Sequence, residues 1–417
     1  MPPVRNSFSM KVTQCLATLA CLLLGACQPT VAPMLEPTIT PSPVALQDYC
    51  TMVSRADANQ GPTDTAQKEL VPPVSETDWV DGPDTAAVTI IAYVDFQCPG
   101  CSALAPDINQ LRLDFPKDLR VVIRHFPNPV HNKALLSAQA AEAAGLQGNF
   151  WGMTTALYEG QSQWSNLTAE EFKDWLASTA VSLSIDPTLL LTDLSSQVLV
   201  DKALTAQDEA IRLGIPYTPF LIINGVMYQG PREYTSLKDV IKLMLLEERQ
   251  VTGCPPFTIM AAKQYIATIL TEKGAIVIQL FPDRAPYAVN SFVFLANRGY
   301  FNGITFHRVI KGYLAQTGDP SGTGYGGPGY TFPNEIVDTL LFDTAGMVGM
   351  ANAGPDTNGS QFFITLTAMP DLNGSYTIFG EVIQGLDVVK NLSERDQSLG
   401  IPLSDGDKII SVTVEEK

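Results

Sequence analysis

The chain has 417 residues, 45% of them apolar, with 26 basic against 43 acidic residues and a formal net charge of −17. That balance, without any basic run, argues against nucleic acid as a partner, and three His among seven Cys leave little material for a metal centre. The length suits about two or three domains, each with a core of its own.

The N-terminus reads as an export signal over residues 1–26. Arg5 and Lys11 make it basic, and Cys15 to Leu24 forms an apolar run too short to span a bilayer as a mature helix. The run ends in Leu24-Gly25-Ala26-Cys27. This resembles the lipobox of bacterial lipoproteins, which implies lipidation at Cys27 and attachment to the bacterial cell membrane on its extracytoplasmic side. A secretory signal cleaved without lipidation also fits the run; either way the protein leaves the cytosol, to where disulfides persist. Residues 27–73 read as a tether, in which Pro29, Pro33, Pro37, Pro41 and Pro43 alternate with Thr, Ser and Val and no helical or strand period survives. Cys50 stands alone inside it.

A first folded domain is expected over residues 74–250. Ala87 to Phe96 is an apolar, β-branched run that reads as a buried strand, and Ser102 to Phe115 reads as a helix. Between them stands Cys98-Pro99-Gly100-Cys101. A C-x-x-C pair there puts the first thiol at a helix N-terminus, where unpaired N–H groups and the helix dipole favour a thiolate. The second thiol, one turn in, can resolve a mixed disulfide, which is the minimum apparatus for thiol–disulfide exchange. The same spacing begins zinc knuckles, but no second C-x-x-C and no His pair at ligand spacing accompanies it, so no metal is assigned.

A strand over 120–125 follows, then helical stretches over 134–145, 149–159, 168–179 and 186–213. The third opens on a Thr168-Ala169-Glu170-Glu171 capping box. The chain returns to a strand at 219–223, turns at Asn224-Gly225 into 226–229, and closes with a helix over 236–248. His125 is expected to end a core strand and His131 to be solvated, with a role beside the dithiol as the alternative.

Strand, C-P-x-C, helix, strand, helical insertion, then Thr218-Pro219 before a hairpin resembles the DsbA-like branch of the thioredoxin fold over roughly residues 74–250. The resemblance implies an α/β domain in which Pro219 is cis and faces the dithiol while Thr218 presents backbone atoms to the substrate. DsbA itself carries His inside the motif; here Pro99-Gly100 stands there, so a milder oxidant is expected, and whether the pair oxidises, isomerises or reduces is left open. Cys50 and Cys254 bracket this domain, and an even pair outside the cytosol reads as a structural disulfide closing its ends. Two free thiols, or pairing with another chain, are the alternatives. Loop entropy caps the stabilisation by such a bridge at roughly 5 kcal/mol.

The last domain is expected over residues 256–417. Strands over 264–271 and 275–280 meet at Glu272-Lys273-Gly274, and 285–298 reads as a helix. Then come Phe306-His307-Arg308-Val309-Ile310, Gln316-Thr317-Gly318-Asp319, Met350-Ala351-Asn352-Ala353-Gly354-Pro355, Asn358-Gly359-Ser360-Gln361-Phe362-Phe363-Ile364 and Tyr376-Thr377-Ile378-Phe379-Gly380. These motifs, in this order, resemble cyclophilin over nearly the whole domain. The resemblance implies a closed eight-stranded antiparallel barrel capped by two helices and peptidyl-prolyl cis-trans isomerase activity. By it Arg308 is the catalytic residue, and Gln316 orients it. Tyr313, Leu314, Phe363 and Leu372 wall the proline pocket, while Ala351, Asn352 and Gln361 bind the peptide backbone. Two positions at the rim depart from the family: Asp371 where many members have Trp, and Tyr376, a further substrate contact, where many have His. His307 reads as structural, since no Ser or Asp partners it as a triad. Gly322 to Gly327 matches G-x-G-x-x-G, but Pro328 and an extended segment follow it, which excludes a nucleotide site.

The whole reads as a lipid-anchored foldase with two catalytic heads and no cofactor. Its expected partners are folding secreted proteins that carry Cys and X–Pro bonds, and a membrane redox protein. A chaperone-like lipoprotein that holds clients with little turnover, and a dedicated disulfide reductase, are the alternatives.

Overall fold

The computed structural model describes residues 49–53, 71–396 and 406–417. The leader, Cys27 and most of the expected tether lie outside the described residues. Among the described residues no helix is long and apolar enough to cross a membrane.

Residues 71–249 form an α/β domain. β2 (Trp79–Asp81), β3 (Val88–Val94), β4 (Leu119–His125), β5 (Phe220–Ile223) and β6 (Val226–Met227) make a sheet of order β2-β4-β3-β5-β6. β3 and β4 run parallel and the other pairs antiparallel. β3 reads as a nearly unbroken apolar run because both faces of the sheet are covered, whereas in β4 only Val121-Val122-Ile123 is continuous, between Arg120 and Arg124. Val88, Ile90, Ala92 and Val94 enter one core, while Ile91 and Tyr93 enter the other.

α1 (Pro99–Asp114) leaves β3 with Cys98 as its N-cap and Pro99 in its first turn, and buries Cys101, Leu104, Ile108 and Leu111. Its start is three residues earlier than expected, because Pro supplies a helical φ where no N–H is needed.

Six helices fill the insertion between β4 and β5: α2 (Ala134–Leu146), α3 (Phe150–Glu159), α4 (Gln161–Trp164), α5 (Ala169–Ser182), α6 (Pro187–Asp193) and α7 (Gln197–Arg212). The capping box at Thr168 and Glu171 is formed. The helical stretch expected over 186–213 is two helices. Ser195-Ser196 interrupts it, with Ser196 as the N-cap of α7; serine competes for the backbone in helix interiors and favours caps. α8 (Tyr234–Met244) closes the domain and tightens into a 3-10 turn, Leu245–Arg249.

The second domain is built on an eight-stranded antiparallel sheet: β7 (Tyr265–Thr271), β8 (Gly274–Leu280), β9 (Arg308–Ile310), β10 (Leu314–Thr317), β12 (Met347–Met350), β13 (Phe362–Thr365), β14 (Ile378–Gln384) and β15 (Ile409–Glu416). The order is β15-β7-β8-β14-β12-β13-β10-β9. The closed barrel expected above is therefore corrected to an open half-barrel, with β15 and β9 as its edges. Gly303, ahead of β9, has a positive φ of 78°. Backbone contacts cross toward β15 without a ladder from β9: the Gly303 N–H donates to the Ile409 carbonyl, the Ile409 N–H to the Ile304 carbonyl and the Phe306 N–H to the Asp407 carbonyl, and Thr305 bridges Lys408. α9 (Pro286–Asn297) and α10 (Leu386–Lys390) pack against β15 and β8 respectively.

Residues 49–53 fall inside the stretch expected as tether, yet they are built into this second domain. β1 (Thr51–Met52) pairs antiparallel with β11 (Tyr330–Thr331). Tyr49 is 5% exposed, stacks on Tyr287 at 4.9 Å, donates a hydrogen bond to the Pro255 carbonyl and accepts one from Asn290. Cys50 and Cys254 are joined by a disulfide. Entrance to and exit from the first domain thus form one neck on the second.

Candidate functional site

Two separate sites are built. At the first, Cys98 is half-buried at the start of α1 and Cys101 is 2% exposed one turn on; both thiols are free. The Cys101 thiol hydrogen-bonds the Cys98 sulfur, and the backbone N–H groups of Cys101 and Gly100 add to it, so the Cys98 pKa falls to about 5. Burial pushes Cys101 far up. The two thiols are thereby made unlike, one a thiolate at neutral pH and the other a protonated thiol.

The Thr218–Pro219 bond is cis and faces this pair, with the Thr218 carbonyl 3.4 Å from the Cys98 sulfur. A Cβ on Gly100 would lie 3.1 Å from Pro219 Cδ. The glycine in the motif therefore lets the proline loop close over the dithiol.

Beneath Cys101 lies a group the sequence reading passed over. Asp95 is 2% exposed, and its N–H faces the Cys101 sulfur at 3.5 Å. Its carboxylate accepts from the N–H groups of Gln97 and Asn128 and meets His131 Nδ1 at 2.6 Å. The solvated His131 expected above is corrected: a buried carboxylate holds it. The available signal was a lone acid closing an otherwise apolar strand. His125 ends β4 and is held by Glu142 at 2.8 Å, away from the thiols in role. Gln161, also passed over, donates to the Phe96 and Cys98 carbonyls and braces the motif from α4. Tyr158 is buried near the thiols and Asp95 with its hydroxyl unpartnered.

The second site lies on the half-barrel. Arg308 on β9, Gln316 on β10 and Phe363 on β13 are consecutive cross-strand partners, so strand pairing alone sets them side by side. Arg308 is exposed, with Nη1 3.5 Å from Gln316 Oε1. Gln316 in turn donates to Gln361 Oε1 at 3.0 Å. Leu314 and Phe363 form an apolar cluster with Phe342, Met347, Met369 and Ile378, and Leu372, Tyr376 and Ala351 pack on its edge. Gly349 admits the Phe342 and Phe363 rings: a Cβ there would meet both at under 3 Å. Tyr313 is 42% exposed on the turn between β9 and β10, outside that cluster. Asn352 donates toward Asn334 and Asn358, and the Ala351 N–H is taken by the Gln361 carbonyl. Asp371 is exposed on a 3-10 turn at the rim. His307 is buried, with both ring nitrogens unpartnered and its pKa lowered by burial.

The glycine-rich run wraps a carboxylate of its own chain. Asp319 accepts from the Ser321 N–H and hydroxyl and from the N–H groups of Gly324 and Gly326. A Cβ on Gly326 would fall 2.0 Å from Asp319 Oδ1. Gln361 Nε2 then donates to the Gly324 and Gly326 carbonyls, which ties this loop to the site.

Residues 266–414 match the family model described as cyclophilin type peptidyl-prolyl cis-trans isomerase/CLD, and residues 74–243 match one described as thioredoxin. The peptidyl-prolyl cis-trans isomerase-like 2 of Rhizopus delemar is 46% identical over 149 residues, which are 35% of this chain and 27% of that protein. The peptidyl-prolyl cis-trans isomerase B of Bacillus subtilis is 48% identical over 128 residues, covering 31% of this chain and 90% of that protein. A solved cyclophilin type peptidyl-prolyl cis-trans isomerase of Cryptosporidium parvum shares 36% identity, covers 37% of this chain and 99% of its own, and superposes with a TM-score of 0.34.

Proposed function

The chain belongs to the cyclophilin-type peptidyl-prolyl cis-trans isomerases through residues 266–414, with a thioredoxin-like domain ahead of them, and from that premise we propose that it is an extracytoplasmic foldase carrying both prolyl isomerisation and thiol–disulfide exchange. Leu24-Gly25-Ala26-Cys27 supports a lipid anchor at Cys27. Its clients are secreted proteins folding outside the cytosol.

The observation that carries the isomerase reading is Arg308, set beside Gln316 and an apolar recess by strand register. Twisting an X–Pro amide meets a barrier of roughly 20 kcal/mol because C–N resonance is lost. The recess holds the ring, and the guanidinium donates to the prolyl nitrogen as its lone pair localises. Gln316, held by Gln361, keeps the guanidinium aimed. No bond is made or broken, and Arg308 stays charged throughout.

The dithiol works through the difference between its thiols. In the oxidised protein a client thiolate attacks the Cys98 sulfur and Cys101 leaves, taking up a proton. A second client thiolate then attacks the same client sulfur, and Cys98 leaves as a thiolate. Two electrons pass from client to dithiol, and a membrane redox partner of the disulfide or quinone class must take them onward. A Cys98 pKa near 5 stabilises the reduced pair, which makes its disulfide the more oxidising. That favours oxidation or shuffling over the dedicated reductase.

Arg308→Ala in the full chain tests the isomerase. The rate on a short Ala-Pro peptide, read by NMR exchange, should fall on the order of a hundredfold to a thousandfold, about 3–4 kcal/mol of barrier, and Arg308→Lys should restore little of it. Equal rates for the parent and Arg308→Ala, both near the uncatalysed value, would make the domain a binding module.

A further inference from the structure

The prolyl site leaves a neighbouring cavity unexplained. It holds about 300 Å³ and opens between the two domains. Gln316, Gln361, Ala351 and Asn352 form its near side, and the Gly324–Gly329 loop forms its floor. Its far wall is Val53, Leu243, Leu246 and Gln250. None of those four lies within residues 266–414. Val53 follows the neck strand, Leu243 lies in the last turn of α8, and Leu246 stands on the 3-10 turn after it.

Wall and floor are fastened together. The Val53 N–H donates to the Gly329 carbonyl at 3.0 Å, and the Val251 N–H to the Pro328 carbonyl at 2.9 Å. Gly329 sits at φ 90°, and a Cβ there would come within 3.1 Å of the Val251 carbonyl. The floor is held from below by Asp319 and from the side by Gln361. The cavity is thus a fixed feature rather than a gap between loosely docked bodies.

Its chemistry is uniform. No residue lining it is charged. Val53, Leu243, Leu246, Pro328 and Ala351 supply an apolar surface, and amides and hydroxyls supply the rest. Leu243 is half-buried and lies outside the apolar core of its own domain, so its side chain serves the cavity.

We infer that the two domains jointly build a second substrate pocket, which takes a large uncharged side chain flanking the X–Pro pair, so that the thioredoxin-like domain sets the sequence preference of the isomerase. The inference rests on the isomerase reading of Arg308. Since Gln316 and Gln361 border both the prolyl recess and the cavity, one extended peptide can engage both. Full burial of a leucine-sized side chain corresponds to about tenfold to a hundredfold in binding, whereas a charged side chain enters at a loss unless paired.

The test uses the full chain and Ala-Pro peptides whose flanking residue is Ala, Leu, Glu or Lys, with kcat/KM measured by NMR exchange. The parent should prefer Leu over Glu and Lys by about tenfold or more. Leu243→Lys should raise the Glu peptide and lower the Leu peptide, Leu243→Glu should do the same for Lys, and the Ala peptide should stay unchanged. Val53→Lys provides the same reversal from the neck side of the wall, and an unaltered Cys98 alkylation rate certifies that the first domain is folded. If every peptide changes by one common factor, or none changes, the pocket is not a specificity element. If the parent fails to accelerate even the Ala peptide, the isomerase reading fails instead. Anisotropy of the same peptides, fluorescein-labelled, then still decides whether the cavity discriminates Leu from Glu.

Discussion

Replacing Cys101 by alanine removes the hydrogen bond that does most to hold the Cys98 pKa at about 5. The N–H groups of Gly100 and Cys101 remain, so the pKa climbs toward, at the limit, the ordinary thiol value of about 8.5. At pH 7 the parent is about 99% thiolate and the variant, at that limit, about 3%. A more basic thiolate is also a better nucleophile, by roughly 25- to 55-fold over such a shift. The two effects nearly cancel, so alkylation at pH 7 should differ by no more than about twofold. At pH 5.5 the parent is still about three-quarters ionised, and the variant should react on the order of twentyfold more slowly. At pH 9 the order reverses, with the variant about thirtyfold faster. The assay is iodoacetamide modification of the reduced protein from pH 4 to 10, with the Cys98 peptide followed by mass spectrometry. A variant profile still centred near pH 5 would refute the reasoning, because the helix N-terminus alone would then set the pKa. The sign carries over to stability. A folded-state pKa below the unfolded one gives the reduced protein stability that is fully present above the unfolded thiol's pKa and is lost as pH falls through about 5.

Tyr49→Phe leaves the ring stacked on Tyr287 but strips a donor from the Pro255 carbonyl and an acceptor from Asn290. It should cost about 1–3 kcal/mol, read as a lower denaturation midpoint, and no change would mean that the neck is not part of the folded isomerase. Cys27→Ser should move the protein from the membrane to the soluble fraction; persistence at the membrane with no mass difference beyond the substitution would end the lipid-anchor proposal.

What was legible in the sequence was what is local in it. Cys98 and Cys101 share one helical turn, Thr218-Pro219 is a dipeptide, and Arg308, Gln316 and Phe363 stand in motifs whose strands pair in register. β3 was readable because burial on two faces leaves a nearly unbroken apolar run. The rest depends on groups brought together from afar. His131 and Asp95 are 36 residues apart, and only the path of the loop after β4 puts the imidazole on the carboxylate. Tyr49 sits in a proline-rich stretch whose composition denies it structure, while its partner Asn290 lies 241 residues away. That β9 and β15 stay edges of an open half-barrel follows from strand pairings distant in the chain, which no motif states. The cavity wall, drawn from α8 and the neck, has no counterpart in either domain's own pattern.

The neck has a consequence for the order in which this molecule comes into being. Tyr49 and Cys50 are made long before the partners that bury and bond them, at sequence separations of 241 and 204 residues. During synthesis the isomerase domain therefore lacks its floor plan until the thioredoxin-like domain has been completed inside it. Contacts so distant along a chain are slow to form from a flexible coil, because a long loop must be closed first. Here the intervening chain has a sheet of its own, and completing it brings Cys50 and Cys254 toward each other. The first domain is thus the closed loop that lets the second one finish, and a fragment begun at residue 256 would be an isomerase missing its first strand.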